Sequence, residues 1–463
     1  MAATFGTDAS PAHPVFPAQS EAARVGWRDH FTDPALQALI AQALANNRDL
    51  RSAVLRAEEA RAAYAVRRSE GLPSVNAQAS GQRAHVPAAL SSVGRAATGD
   101  VFQLTAGLSS WELDFWGAVR NRNEAALQSY LASDATRRAA TLSLIAQVAD
   151  SYLALRETDE RLDLARRTVV SRQESLRITT RRLEVGSTSR LNLMQVQTLL
   201  TQAQALAAQL AQARDTHAHA LTLLVGAPVE LAHTDAQLDA QASATPLRAG
   251  LPSDLLLNRP DILAAEHQLR ANEASIAVAR AAYFPRVALT SSVGLASTEL
   301  NRLFTAGTQA WSFTPSISLP LFDGGARNAN LQAARARRDQ ALAAYDMAVQ
   351  SAFRDVADAL SAQRWLGEQL DIAEAALAAQ TERARLTQLR YDNGAAAFFD
   401  VLDAQRDLLQ AQQQRVQSRR ALLSNRVALY AALGGGSLTL PDDAAAAPPV
   451  RTPAAPQRPV TPR

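Results

Sequence analysis

The sequence predicts a mainly α-helical protein with a small β part, in which long α-helical hairpins carry four β-strands per chain in two internal repeats. Three observations predict it. Two segments of about 70 residues, Gly117 to Gly186 and Gly325 to Gly394, hold no proline and one internal glycine, Gly367. As helices at 1.5 Å per residue each would be roughly 100 Å long. The same corner is also written twice. "LEVGSTSRLNLMQVQTLL" (183–200) and "YDNGAAAFFDVLDAQRDLL" (391–409) align on Gly186 and Gly394 as helix end, glycine turn, small residues and Gln-rich helix. Finally, "WSFTPSISLPLFDGG" (311–325) alternates, with Trp311, Phe313, Pro315, Ile317, Leu319 and Leu321 on one face and Ser312, Thr314, Ser316 and Ser318 on the other. Strict period-two alternation gives a strand with one apolar and one wet face.

In order along the chain, an N-terminal segment (1–34) precedes the first repeat, 35–225. Its opening helical stretch, 33–71, begins with Asp33 as N-cap before Pro34. A strand hairpin of about 72–117 follows, from "LPSVNAQASGQR" to "VFQLTAGLSSWELDFWG", and then a long helical hairpin of about 118–225. An irregular segment, 226–257, separates this from the second repeat, 258–433. There the same order recurs: a helix in 258–283, a strand hairpin of about 285–322 and a helical hairpin of about 325–433. On its first arm Leu342, Tyr345, Val349, Phe353, Val356 and Leu360 step by three and four, the stripe of an amphipathic helix. Residues 434–463 start "GGGSLTLPDD" and end in a Pro/Ala/Arg tail with the composition of disorder.

Composition narrows the function. Hydrophobic residues reach 47%, largely as alanine, and aromatics only 5%, so no large aromatic core is expected. Net charge is +3 and no basic block is interleaved with aromatics, which excludes nucleic-acid binding. The absence of cysteine excludes disulfides, thiolate metal sites, a cysteine nucleophile and a lipidated N-terminal Cys. No run of 18 apolar residues exists, so no transmembrane helix is expected. The first residues lack a signal peptide, so the chain is either cytosolic or a mature form.

The strands decide between these. Four cannot close a barrel that holds anything, and an open sheet with a bare apolar face aggregates. One such strand alone fits a soluble sandwich equally well. Closure by several chains fits all four: membrane barrels begin at eight strands, and a trimer supplies twelve. The apolar faces then meet lipid and the Ser/Thr faces line a wet lumen.

At this point the residues resemble the TolC/OprM outer-membrane efflux proteins, and more closely their NodT-type branch. The resemblance spans about residues 25–436 and rests on "NRPDI" (258–262), "FPRVALTSSVG" (284–294), "LPLFDGG" (319–325), "LRYDNGAAAFFDVLDAQRDLL" (389–409) and "ALYAALGGG" (428–436), in that order. It implies a homotrimer with a 12-stranded transmembrane barrel in the outer membrane and a helical tunnel across the periplasm. It also implies an equatorial belt, to which 1–34, 226–257 and 434–463 would contribute. Many members carry a lipidated N-terminal cysteine, which this chain lacks.

No catalytic or metal motif is present. There is no GxxxxGK, HExxH or GxSxG. "GGG" at 434–436 breaks a helix, and His217 and His219, two apart, diverge on a helix. The corner is different. Asp400 and Asp403 share one helix face. In a trimer six carboxylates would converge, resist joint ionisation and attract cations. By resemblance Asp400 and Asp403 match an acidic periplasmic gate, and Tyr391 a tyrosine that ties the coils shut by donating to a carboxylate. The first-repeat equivalents are Asn192 and Gln195, amides without charge, and Ala396 stands where some relatives have arginine. A helix start is the other reading, with Asp400 as N-cap and Asp403 as its reciprocal partner. Arg181, Arg182 and Arg190 near one tip and Arg390 near the other are adaptor contacts or ordinary solvated helix ends.

The resulting expectation is a passive trimeric exit duct, not an enzyme, without cofactor or metal. It would dock a periplasmic adaptor and an inner-membrane pump, RND or ABC, with proton-driven RND-type drug efflux preferred. A type I protein-secretion duct and a soluble coiled-coil scaffold are the alternatives.

Overall fold

The computed structural model describes residues 22–90, 94–229 and 258–439. Most of the expected belt segments, and the tail with its disorder composition, lie outside the described residues.

The two long arms form as the sequence predicts. α4 runs Ala118–Glu184 and a later helix, α7, runs Ala326–Asp392, each 67 residues. Each turns at a glycine into a return helix: α5 at Arg190–Val225 and α8 at Phe398–Ala432. Both starts need a left-handed residue, supplied by Gly117 at φ 75° and Gly325 at φ 89°.

The N-terminal helical stretch departs from expectation. It divides into α2 (Pro34–Asn46) and α3 (Arg48–Ser69) after a single turn, α1 (Trp27–His30). Asp33 caps α2 as expected, accepting from Ala35 N at 2.8 Å, and its other oxygen takes the buried Tyr152 hydroxyl at 2.7 Å. The break falls at Asn47. Its Oδ1 accepts from Leu50 N at 2.8 Å and its Nδ2 donates to Leu224 O, also at 2.8 Å. One amide thus starts α3 and ends α5.

That contact sets the architecture. α5 and α3 meet end to end, with Gly226 so close to Asn46 that a Cβ would lie 2.6 Å from its carbonyl oxygen. The second half repeats the joint between α8 and α6 (Pro260–Ala281): Arg259 Nη1 donates to Ala432 O at 3.2 Å, and a Cβ on Gly434 would meet Asn258 O at 3.0 Å. The unbroken α4 packs between the α3/α5 column and the α6/α8 column, and α7 flanks the latter. Four columns side by side make a wall. Its principal core lies where α2, α4, α5 and α8 converge, around Ile40, Ile145, Val148, Leu221 and Val225. Full burial of each such side chain stabilises by roughly 1.5–3 kcal/mol.

At one end of the wall stands an antiparallel sheet in chain order, β1 (Val75–Val86), β2 (Ala97–Glu112), β3 (Arg286–Ser297) and β4 (Gln309–Ser318). One expectation fails here. β4 ends at Ser318, paired with Arg286, so Leu319 and Leu321 lie beyond the strand. Pro320 has no N–H to extend the ladder, and the alternation continues as pattern without pairing.

Candidate functional site: the sheet faces and the helical tips

Register sorts the sheet into two faces, because directly paired residues point the same way. Trp311, Phe313 and Ile317 pair with Val293, Ser291 and Val287. Leu104, Ala106 and Leu108 join the same face from β2, and Ala77 and Ala79 from β1. Trp311, Phe313 and Ile317 are 77%, 62% and 74% exposed. On β2 this apolar run extends from Phe102 to Trp111, about 30 Å at 3.4 Å per residue. A tilted strand of that length matches the roughly 25 Å apolar band of outer-membrane barrels. The opposite face carries Gln78, Ser80, Gln103, Thr105, Ser292 and Ser312, with Ser292 and Ser312 hydroxyls bonded at 2.8 Å.

Two glycines show which way the sheet bends. Gly107 and Gly294 lie on the polar face of the β2–β3 seam. A Cβ on Gly107 would sit 2.2 Å from Ser291 O, and one on Gly294 2.1 Å from Leu104 O. No side chain fits there, so the strands coil tightly toward the polar face. A bulge between Leu108 and Trp111, with Ser110 at φ 47°, adds local bend. The apolar face is therefore the outer curve. Just below it Trp116 stacks on Phe284 at 4.7 Å and donates to Pro285 O at 2.8 Å.

At the far end, the two predicted corners use identical bonds. Gly186 N reaches Leu183 O at 2.9 Å and Ser187 N reaches Arg182 O at 2.8 Å. Gly394 N reaches Tyr391 O at 2.9 Å and Ala395 N reaches Arg390 O at 2.8 Å. Both are Schellman closures with glycine at positive φ, 76° and 73°. Nothing crowds either glycine, so the requirement is conformational.

The acidic residues at the corner sit differently from either expected role. The N-cap of α8 is Ala397, and Asp400 is the third helical residue, its carboxylate accepting from Ala397 N at 3.2 Å. Alanine has no acceptor to return the bond, so half a capping box forms. Asp403 is no part of it. Arg383 on α7 donates to Asp403 at 2.9 Å and to Asp407 at 2.7 Å, and Arg406 donates to Asp403 at 2.5 Å. These bonds raise the Arg383 guanidinium above its ordinary value, the Asp407 bond most, and hold Asp407 below the usual carboxylate range.

Tyr391 also differs. Its hydroxyl accepts from Arg182 instead of donating to a carboxylate, and its ring packs 5.2 Å from Phe398. This ties the tip of α4 to that of α7. Arg182 is thereby engaged within the chain. So are Arg181, paired with Glu184 at 2.8 Å, and Arg390, donating to Ala395 O at 3.1 Å. Arg190 is exposed at the start of α5. Gln195 and Asp403 share a shallow cleft of about 190 Å³ with Leu199, Phe399 and Arg406. Asn192 stays in its own turn, its amide donating to Thr188 at 3.1 Å.

Arg383, Arg406 and Asp407 were missed by the sequence reading. The hairpin's symmetry was the available signal: Arg383 precedes Gly394 by 11 residues and Asp407 follows it by 13, the offset of facing positions on antiparallel arms. Farther along, Arg161 donates to Gln413 at 2.6 Å and Arg172 to Gln405 at 2.5 Å, joining α4 to α8. Arg172 is 3% exposed, and burial pulls its guanidinium down.

A strongly bent sheet, greasy outside and wet inside, joined directly to helical hairpins about 100 Å long, defines an outer-membrane channel protein. The comparisons agree. The family described as outer membrane efflux protein matches residues 39–227 and 251–435, and the chain belongs to that family. The solvent efflux pump outer membrane protein SrpC of Pseudomonas putida is 40% identical over 409 residues, covering 88% of this chain and 87% of that protein. Outer membrane protein OprJ of Pseudomonas aeruginosa is 38% identical over 422 residues, 89% of this chain and 86% of that one. Among solved structures, the open state of the Neisseria gonorrhoeae MtrE outer membrane channel superposes with TM-score 0.83 at 39% identity, covering 91% of this chain and 94% of that one.

Proposed function

We propose that three copies of this chain assemble into a passive exit duct of a tripartite efflux system, in which each copy gives four strands to a 12-stranded barrel and four helical columns to a periplasmic tunnel. One observation carries the reading: the sheet bends strongly, yet both of its edge strands, β1 and β4, end it open. A coiled four-stranded sheet with a bare outer face needs neighbours on both edges. The helices point the same way. On α7 part of the apolar surface stays uncovered: within the predicted stripe Val356 is buried while Leu342 is exposed, and outside it Met347, Trp365 and Ile372 are exposed too. These side chains suit the next copy in the ring.

In this reading 35–225 and 258–433 are structural repeats, and 1–34, 226–257 and 434–463 belong to the belt. A periplasmic adaptor docks at the tips around Gly186 and Gly394, with Arg190 free to meet it, and an inner-membrane pump of the proton-driven RND type supplies the energy. Asp400, Asp403, Tyr391, Asn192 and Gln195 surround the closed periplasmic aperture. Docking favours its open state. Purified in detergent, the protein should run as a trimer with mostly helical circular dichroism; a stable monomer that stays folded would overturn the shared barrel. A type I secretion duct remains the second reading, and adaptor pull-down with either pump class distinguishes them.

A further inference from the structure

The two helical hairpins meet along one seam. α4 packs on α5 in the first and α7 on α8 in the second, and α4 lies against α8 between them. Side chains cross this seam at intervals. Near mid-height Arg420 of α8 binds Asp150 at 3.0 Å, and Arg161 of α4 meets Glu157 at 2.9 Å besides Gln413 at 2.6 Å. Each of these guanidiniums has a carboxylate. Arg172, farther toward the tips, has none: among the described residues its single hydrogen bond goes to a neutral amide, Gln405 of α8, at 2.5 Å. Yet Arg172 is 3% exposed, and the buried residues of α8 from its start to Gln413 are the apolar Val401, Leu402 and Ala404. A guanidinium keeps its charge inside a protein, and a buried charge without a counterion costs free energy. Arg259, 8% exposed, is the contrast. Burial acts to lower it too, but its bonds to Asp261 and Asp355 prevail and hold it above its ordinary value. For Arg172 burial acts alone.

We propose that Arg172 is a release built into the α4–α8 seam: its buried charge, facing only an amide, biases the second hairpin to part from the first. The inference rests on the duct reading, in which the closed aperture opens as one hairpin swings off the other. The joint at Gly434, where Arg259 meets Ala432 O, lets α8 move below mid-height. Parting the seam admits water to the guanidinium, and its hydration favours the parted state. Gln405 opposes this with one hydrogen bond, and Arg182 with another to Tyr391 between α4 and α7. The seam is thus a two-state element, and a partner that binds the parted form better shifts it by that difference in affinity.

The test is open probability in planar bilayers, at a voltage that gives the unsubstituted trimer measurable openings. Gln405→Leu removes the acceptor, leaves the charge buried, and should raise open probability several-fold. Arg172→Met/Gln405→Leu replaces both partners by apolar side chains, which leaves no polar group unpaired. It should open several-fold less often than the unsubstituted trimer. Gln405→Glu supplies the missing counterion and should also reduce opening. A seam that merely clamps the hairpins, or a carboxylate lent to Arg172 by the neighbouring copy, predicts the reverse for the double variant. It would then open at least as readily as Gln405→Leu, and that result would overturn the release. If the double variant fails to assemble, Gln405→Glu decides by itself: unchanged or more frequent opening overturns the proposal. Failure of the duct reading is separate, because the unsubstituted protein would then form neither trimers nor channels.

Discussion

Asp403 on α8 holds the guanidinium of Arg383 on α7 at 2.9 Å, across the two arms of one hairpin. The charge expected to face the lumen is therefore matched within the chain, and in the proposed aperture it would act as one of a set of paired charges. Removing either member should loosen the tip and raise resting conductance. Their effects on cation block should have opposite signs. Arg383→Ala leaves Asp403 and Asp407 with Arg406 as their shared partner and should strengthen block by multivalent cations; Asp403→Ala should weaken it. Single-channel recording with and without a trivalent cation checks both, and equal block in the two variants would refute the pairing.

Asp400 has a separable role. Because its carboxylate accepts from Ala397 N, Asp400→Ala should lower thermal stability by about 1 kcal/mol. Conductance should change less than in Asp403→Ala. Calorimetry beside conductance measurement separates the two.

On the sheet, Ile317→Arg and Phe313→Arg should cost about 2–4 kcal/mol each near the bilayer midplane, and impair membrane assembly. Ser312→Arg and Ser316→Arg, on the inner curve, should assemble and alter conduction. Leu319→Arg and Leu321→Arg should assemble too, since both lie past the end of β4. Heat-stable trimer on gels is the readout, and failure of the Ser variants with success at Ile317 would reverse the faces.

Gly107→Val and Gly294→Val should abolish assembly, since the β2–β3 seam has no room for a Cβ at either position. Gly186→Ala meets only open space and carries the left-handed penalty alone, roughly 1–2 kcal/mol. It should assemble with a lower melting temperature.

His30 makes stability depend on pH. The imidazole is 1% exposed, lies 4.2 Å from the Tyr430 ring in a stacked arrangement, and neither ring nitrogen has a hydrogen-bond partner among the described residues. Burial, with the Arg426 charge, lowers its pKa from 6.5 to about 4. The unfolded chain thus binds the proton first as pH falls. Stability is intact above pH 6.5, declines between there and about pH 4, and by then has lost about 3 kcal/mol from this group. His30→Phe should flatten that slope in denaturant melts at pH 4 to 7; an unchanged slope would exclude His30 as its source.

What was legible in the sequence was what local chemistry decides. Gly186 and Gly394 could be read because a left-handed C′ residue is nearly a glycine signature, and the long arms because nothing interrupts them. Asn47 escaped notice because its partner, Leu224 O, is 177 residues away. Leu319 and Leu321 were misplaced because alternation persists where pairing has stopped. Asp400 as N-cap, the alternative to a gate role, is suggested by the capping preference of acids, yet the helix starts at Phe398 and uses Ala397. The pairing of Arg383 needed the hairpin's fold symmetry, which no single stretch displays.

The end-to-end joints at Gly226 and Gly434 give neighbouring columns different mechanics. α4 and α7 are continuous struts, while the α3/α5 and α6/α8 columns are jointed at mid-height, each joint held by one side-chain amide or guanidinium, Asn47 or Arg259. Torque applied at the tips can turn the lower rods about these knuckles with little twist passed to the upper ones. In the proposed trimer, such joints would let the wall widen at the tips without changing the circumference at the sheet end.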